Sequence, residues 1–326
     1  MNIAVDIILL IVGFVLLVKG ADFFVEGAAD LARKLKIPSL VVGLTIVALG
    51  TSAPELAVSI SASCNGANSM AVSNVVGSNI FNLLVVLGVC ALIKPVGVTK
   101  DILHRDYPVS ILATVLFFVF LIFGNDIGRI EAGIFILLMV GYMFWTVKSA
   151  LKNRTPEQET EKKFNPVKCA LFIILGAAAI VFGGNFVVDH ASNLGAAMGM
   201  SETLIGLTIC AIGTSLPELV TTIAAARKGE TDMAMGNVIG SNIFNILFIL
   251  GMSGVISPIE IAATEVTKTL IDSGFYIAVC ILAYIFCLTA KKITRVEGGI
   301  LAFLYVGYTA FAIMRDTGVF AGLLPA

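Results

Sequence analysis

Apolar runs of about 20 residues follow one another along this chain, separated by short polar breaks. Runs of this length read as helices that cross a bilayer. Ten are predicted, near 5–30, 39–63, 70–93, 106–124, 130–150, 168–194, 202–226, 232–256, 269–289 and 297–315. The longest polar stretch, 151–166, is charged and contains proline, as suits a linker. It divides the chain into a first five-helix repeat, 1–150, and a second, 167–326. The predicted fold class is an all-α polytopic membrane protein with ten transmembrane helices. An odd number of helices per half makes the second half enter the membrane in the opposite sense. The repeats are therefore expected to be inverted.

Charge sets the orientation. The breaks fall into two alternating sets, and 17 of the 21 Lys and Arg residues lie in one of them. That set includes Arg33, Lys94, Lys152, Arg227 and Lys291, whereas the other holds only Arg129, Lys268 and Arg315, with Lys19 inside the first span. Basic loops face the cytoplasm. Both termini are thus expected outside and the 151–166 linker in the cytosol. The N-terminus, MNIAVDIILLIVGF, lacks the positive start of a signal peptide and is kept as structure.

Composition narrows the class further. Apolar residues make up 58% of the chain, charged residues 13%, and mean hydropathy is +0.99. A soluble domain carries about 25% charged residues. No basic tract or aromatic–basic interleaving points to nucleic acid. The six cysteines, Cys64, Cys90, Cys169, Cys210, Cys280 and Cys287, follow no disulfide or zinc spacing and read as small packing residues. No cofactor motif stands out, and the lipid bilayer is the expected surrounding. Nothing in the pattern specifies an oligomer; a monomer suffices.

One segment occurs twice. Residues 43–88 begin GLTIVALGTSAPEL and end GSNIFNLLVVLG; residues 206–251 begin GLTICAIGTSLPEL and end GSNIFNILFILG. They align without a gap at an offset of 163, with 27 of 46 positions identical. Further on, GRIEAGIFILLMVGY (128–142) echoes TRVEGGILAFLYVGY (294–308). Inverted repeats with interrupted helices near midplane are the recurring plan of secondary transporters.

Each copy sets one glutamate, Glu55 or Glu218, in an apolar stretch. A carboxylate at the bilayer centre costs roughly 2.5–3.5 kcal/mol even on the mild insertion scale. Pro54 and Pro217 lack an N–H and collide with the carbonyls of Gly50 and Gly213, so the backbone around Ala48–Thr51 and Ala211–Thr214 is expected to open. Freed carbonyls in lipid need partners, and a bound cation is one. Thr51, Ser52 and Glu55 lie within one turn, and Ser78 and Asn82 share a face of the next helix. The second copy repeats this with Thr214, Ser215, Glu218, Ser241 and Asn245. Inverted symmetry would bring the two sets together as an all-oxygen site, which hard cations such as Ca²⁺ and Na⁺ prefer. Two carboxylates balance one Ca²⁺ or two Na⁺. His104 and His190 lie outside both copies and no cysteine is shared, which disfavours a soft metal. Two like charges in one site raise at least one pKa, so proton competition stays open. A channel or an intramembrane enzyme fits less well, the latter for want of a nucleophile–base pair.

Other residues carry secondary expectations. Gly43 and Gly88 are expected to pack helices, Gly50 and Gly213 to serve the site, and Asn74 and Asn79, with Asn237 and Asn242, either to bond broken backbone or to face the ion. Lys19, Asp22 and Glu26 share a face of the first span, with Lys19 and Asp22 spaced to pair.

The paired GTSxPE and GSNIFN motifs resemble the two alpha repeats of the cation/Ca²⁺ exchanger superfamily, specifically the prokaryotic Na⁺/Ca²⁺ exchangers. The resemblance implies that Thr51, Ser52, Glu55, Ser78, Asn82, Thr214, Ser215, Glu218, Ser241 and Asn245 coordinate ions, with carbonyls from Ala48 and Ala211. It implies Na⁺ entry driving Ca²⁺ export by alternating access in a plasma (prokaryotic inner) membrane, with the first and sixth helices sliding across the others. Ca²⁺/H⁺ exchange on the same scaffold is the alternative. Several relatives place Asp at one of the positions matching Asn82 and Asn245; asparagine at both is similar to K⁺-independent exchangers. The short linker leaves no room for the large regulatory domain of the animal proteins.

Overall fold

The structure, a computed structural model, describes residues 3–66, 68–124, 126–152, 164–198, 211–261 and 263–316. Most of the predicted linker, the start of the predicted helix 202–226 and the opening residues of the second repeat copy lie outside the described residues. The chain is mostly helical. Among the described residues, eight helices are long and apolar enough to span a membrane: α1 (Ile3–Leu35), α4 (Met70–Ile93), α5 (Ile102–Gly124), α6 (Arg129–Lys152), α7 (Pro166–Ala197), α10 (Thr231–Ile256), α11 (Glu265–Ala290) and α12 (Arg295–Arg315). A broken pair, α2 (Ser39–Thr51) and α3 (Ala53–Cys64), passes the same test as one span bent by 50°. The short α8 (Ala211–Gly213) and α9 (Leu216–Arg227) occupy the matching place in the second half.

Local chemistry sets the helix ends. Lys36 takes a left-handed φ of 57° after α1, its N–H bonds Arg33 O, and Pro38 prevents continuation. Asn165 caps α7, its Oδ1 accepting from the N–H groups of Val167 and Lys168 at 3.1 Å, with Pro166 in the first turn. Thr294 and Glu297 form a reciprocal capping box at α12. The α3–α4 and α9–α10 turns use matched glycines, Gly66 at φ 74° and Gly229 at φ 87°, where a side chain would be strained.

By contacts, the chain forms two compact units, and each draws on both sequence halves: residues 1–54 with 141–241, and residues 55–140 with 242–326. In the first unit α1 and α7 pack antiparallel. A Cβ on Gly13 would lie 2.9 Å from Gly183 O, and one on Gly20 would lie 3.0 Å from Gly176 O. The glycines recur every seven residues on both helices, so the backbones themselves are in contact. Past the glycine ladder, Asp6 Oδ1 meets His190 Nδ1 at 2.8 Å and accepts from Asn193 Nδ2 at 2.9 Å. Near the other end, Lys168 and Lys228 flank Glu26 at 3.2 and 3.7 Å, and Arg33 pairs with Asp30 and Glu230. Glu26 is thus engaged by lysines of α7 and the α9–α10 turn, and no Lys19–Asp22 ion pair occurs among the described residues.

In the second unit Gly88 of α4 meets Gly298 of α12, and its repeat mate Gly251 of α10 meets Ala132 and Ile136 of α6. Among the described residues, four two-residue strands, β1 (Val96–Gly97), β2 (Asp126–Ile127), β3 (Ile259–Glu260) and β4 (Lys292–Ile293), form two antiparallel pairs, β1–β4 and β2–β3. The registers are Val96↔Ile293 and Ile127↔Ile259. Strands β1 and β3 are repeat mates, as are β2 and β4, so the second pairing repeats the first with the halves exchanged. Two residues flanked by helix ends carry too little alternation to be read in advance.

Burial separates the spans. The most apolar windows of α4 and α10, which carry the GSNIFN motifs, are 72% and 78% buried, against 11–33% for the other six. The exposed side of those six is apolar, as at Phe123, Leu137 and Phe303, in keeping with a lipid-facing surface.

Candidate cation site

The helix breaks fall at Ser52 (φ −82°, ψ 10°) and Ser215 (φ −94°, ψ 4°), with α3 and α9 restarting one residue later. Both conformations lie at the bridge between helical and extended backbone. Proline causes the break, as expected, but Pro54 and Pro217 sit in the first turn of the new helix, where a missing N–H costs nothing. The opening expected within Ala48–Thr51 is not seen: those residues stay helical, as do Ala211–Gly213, and the break falls after them, at Ser52 and Ser215. Ser52 N–H still bonds Ala48 O at 3.0 Å; Thr51 Oγ1, with one proton to donate, lies 3.3 Å from the same carbonyl and 3.2 Å from Asn237 Oδ1. Gly50 and Gly213 turn out to be packing positions: a Cβ on Gly50 would meet Phe24 Cζ at 2.8 Å, and one on Gly213 would collide with Val188.

The first unit contains Thr51, Ser52, Glu218 and Ser241, all buried with no exposed surface. Ser52 Oγ donates to Glu218 Oε1 at 2.9 Å. Asn237 Oδ1 is the nearer of the two acceptors within reach of Thr51 Oγ1, and Asn237 Nδ2 donates to Thr222 Oγ1 at 2.9 Å. Ala48 and Ser215 are buried here as well, and Thr214 is half-buried. The Ala211 side chain lies outside what the structure describes.

The second unit gathers Glu55, Ser78, Asn82 and Asn245, again buried. Ser78 Oγ donates to Glu55 Oε1 at 3.3 Å and accepts from Asn245 Nδ2 at 3.3 Å. Asn74 Nδ2 donates to Glu55 O at 3.3 Å and Ser59 Oγ at 3.0 Å, the repeat counterpart of the Asn237–Thr222 bond. Asn82 and Asn245 each open a π-helical turn, Asn82–Val86 and Asn245–Leu250. Such turns concentrate at functional sites.

Among the described residues, the buried atoms without a hydrogen-bond partner include Glu218 Oε2 and Ser241 Oγ in the first unit and Asn82 Oδ1 and Asn245 Oδ1 in the second, along with hydroxyls outside the repeated segments such as those of Tyr107, Thr146 and Ser273. Buried polar atoms are almost always satisfied. In each unit taken by itself these are carboxylate, hydroxyl or amide oxygens, the ligand type that hard cations prefer.

The hydroxyl–carboxylate partnerships were partly missed in sequence. Thr51, Ser52 and Glu55 share a turn, but Ser52 spends its hydrogen bond on Glu218, a partner 166 positions away. Asn74 bonds a backbone carbonyl, that of Glu55, as one of its two expected roles had it, whereas Asn237 bonds the Thr222 side chain; Ser59 and Thr222 lacked a local signal beyond their matching places in the two copies. The Asp6–His190 pair had none.

A multi-pass helical membrane protein with buried, uncommitted oxygens on matched interrupted helices is, as a class, a handler of metal cations. Comparison with known proteins sharpens this. The profile described as "Sodium/calcium exchanger protein" matches twice, over residues 5–148 and 168–314. The chain is 37% identical to the sodium/calcium exchanger MaX1 of Methanosarcina acetivorans over 94% of its own length and 98% of that protein's. It is 42% identical to the inner membrane protein YrbG of Escherichia coli, over 78% and 80%. The solved sodium–calcium exchanger NCX_Mj, soaked with Na⁺ and Sr²⁺, superimposes with a TM-score of 0.83 at 30% identity, covering 95% of this chain and 99% of that one. The chain belongs to the sodium/calcium exchanger family.

Proposed function

We propose that this protein is a secondary-active Ca²⁺/Na⁺ antiporter that works by alternating access. The carrying observation is Glu218, fully buried, with Oε1 held by Ser52 and Oε2 left for a ligand among the described residues. Ca²⁺ or Na⁺ in that position would neutralise a carboxylate that otherwise costs several kcal/mol to bury. In this reading the ligands in the first unit are Thr51, Ser52, Thr214, Ser215, Glu218 and Ser241 with the Ala48 and Ala211 carbonyls, and those in the second are Glu55, Ser78, Asn82 and Asn245. Competition between Na⁺ and Ca²⁺ for shared oxygens couples the two fluxes. The names of MaX1 and NCX_Mj, both sodium–calcium exchangers, support these ions.

The architecture in this reading is ten spans in two inverted five-helix repeats, 1–150 and 167–326, with both termini outside and the 151–166 linker in the cytosol. Ion pairs and strand pairs join segments that the charge pattern assigns to the same side: Arg33 with Glu230, Lys168 with Glu26, Arg315 with Asp272, and β1 with β4. Amides at both Asn82 and Asn245 support independence from K⁺. The membrane is the prokaryotic inner membrane, as the name of YrbG supports.

The test is uptake of radioactive Ca²⁺ into proteoliposomes loaded with Na⁺ and diluted into Na⁺-free buffer at equal pH. Uptake that requires internal Na⁺ and is lost in Glu55→Gln and Glu218→Gln supports the antiporter. Uptake indifferent to Na⁺ and driven by a pH gradient would replace it with Ca²⁺/H⁺ exchange.

A further inference from the structure

Four asparagines in the second unit form a closed hydrogen-bond figure. Asn79 and Asn242 are repeat mates, and each donates its side-chain amide to the backbone carbonyl of the other: Asn79 Nδ2 to Asn242 O at 3.3 Å, and Asn242 Nδ2 to Asn79 O at 3.4 Å. Their remaining side-chain oxygens accept from the second pair of mates. Asn82 Nδ2 donates to Asn242 Oδ1 at 3.1 Å, and Asn245 Nδ2 donates to Asn79 Oδ1 at 2.9 Å. Asn79, Asn242, Asn82 and Asn245 are all fully buried.

We propose that Asn79 and Asn242 are positioning residues that fix which end of the Asn82 and Asn245 amides faces the transported cation. The inference rests on the reading of Asn82 and Asn245 as cation ligands. Its logic follows from what each atom can do. A backbone carbonyl only accepts, so Asn242 must turn its NH₂ toward Asn79 O. That leaves Asn242 Oδ1 facing Asn82. A flipped Asn82 would set oxygen against oxygen, so Asn82 must present its NH₂ there and its Oδ1 on the other side. The same steps, with the copies exchanged, orient Asn245 through Asn79. The outcome agrees with the Oδ1 atoms of Asn82 and Asn245 being the buried acceptors without a partner among the described residues.

An amide free to rotate would offer a cation an NH₂ group part of the time, and NH₂ repels it. The brace removes that alternative in advance, as outer partners of metal ligands do. It also explains why each GSNIFN motif carries two asparagines three residues apart. The first holds and the second binds.

The experiment is a double-mutant cycle on purified protein in proteoliposomes: Asn242→Leu, Asn82→Ala and both together. Half-saturating Ca²⁺ and maximal Na⁺-driven uptake per folded molecule are measured, together with the rise in melting temperature on adding Ca²⁺. Asn242→Leu is expected to raise half-saturating Ca²⁺ about tenfold with little change in maximal rate, since loss of an outer partner weakens metal sites by roughly 10–100-fold. In the Asn82→Ala background it should have no further effect. Multiplying effects, or a lower maximal rate at unchanged half-saturation, overturn the brace. An Asn82→Ala protein with wild-type half-saturation overturns the proposal differently, by removing the ligand role beneath it. The mirror cycle, Asn79→Leu with Asn245→Ala, decides the matter if Asn242→Leu does not fold.

Discussion

Ser52 Oγ donates to Glu218 Oε1 at 2.9 Å, joining the helix break of the first repeat copy to the carboxylate of the second. Both side chains have no exposed surface. The bond fixes one carboxylate oxygen, leaving Oε2 for a ligand among the described residues. Ser78 makes the corresponding bond to Glu55 at 3.3 Å. Each carboxylate is thus held by a hydroxyl one position after a threonine or a glycine of the repeated motif.

Ser52→Ala removes that donor. A hydrogen bond to a charged group contributes about 1.5–3 kcal/mol, so Ca²⁺ and Na⁺ affinity should fall by roughly tenfold or more. Half-saturating concentrations in the uptake assay read this directly. Ser78→Ala should act in the same direction through Glu55.

Gly20→Val should separate α1 from α7, because even a Cβ at that position lies 2.9 Å from the Ala179 side chain and 3.0 Å from Gly176 O. Overpacking of this kind costs typically about 1–3 kcal/mol. A lower melting temperature in detergent and reduced uptake are expected. Gly133→Ala is the control, since a Cβ there meets nothing within 4 Å; it should leave both measurements unchanged.

Cys64 is exposed, whereas Cys90, Cys169, Cys280 and Cys287 are buried. In the proposed orientation the turn after α3 faces outward. A membrane-impermeant maleimide should label Cys64 in right-side-out vesicles, and Cys64→Ser should abolish that portion of the signal. Labelling of Cys64 only after permeabilisation would reverse the topology.

Arg33 is 43% exposed where it pairs with Asp30 and Glu230. Exposed ion pairs are worth about 0–1 kcal/mol. Arg33→Gln should therefore shift the melting temperature little and change uptake by less than about twofold. A large loss of transport at unchanged stability would mean that this contact acts in the transport cycle.

Replacing K⁺ with choline on both sides of the membrane should leave Na⁺-driven Ca²⁺ uptake unchanged. The expectation comes from amides at both Asn82 and Asn245. A strict K⁺ requirement would remove that argument.

The sequence by itself determined the membrane class, the positions of most spans and the repeated segment. These are properties of local composition: a bilayer demands about 20 apolar residues per helix, and two glutamates that persist in such runs mark themselves. Pro54 and Pro217 announced a helix break, because a missing N–H acts on its own chain. Tertiary structure alone decided who holds whom. Ser52 sits three residues before Glu55 in sequence, yet it bonds Glu218, and Asn79 reaches the carbonyl of Asn242, 163 positions away. The choice of Gly50 and Gly213 as packing positions depended on Phe24 and Val188 arriving from other helices. The strand pairs β1–β4 and β2–β3 likewise needed both halves of the chain. Periodicity records which face of a helix is apolar, but a hydrogen bond between distant segments leaves no periodic trace. Its geometry exists only once the helices are packed.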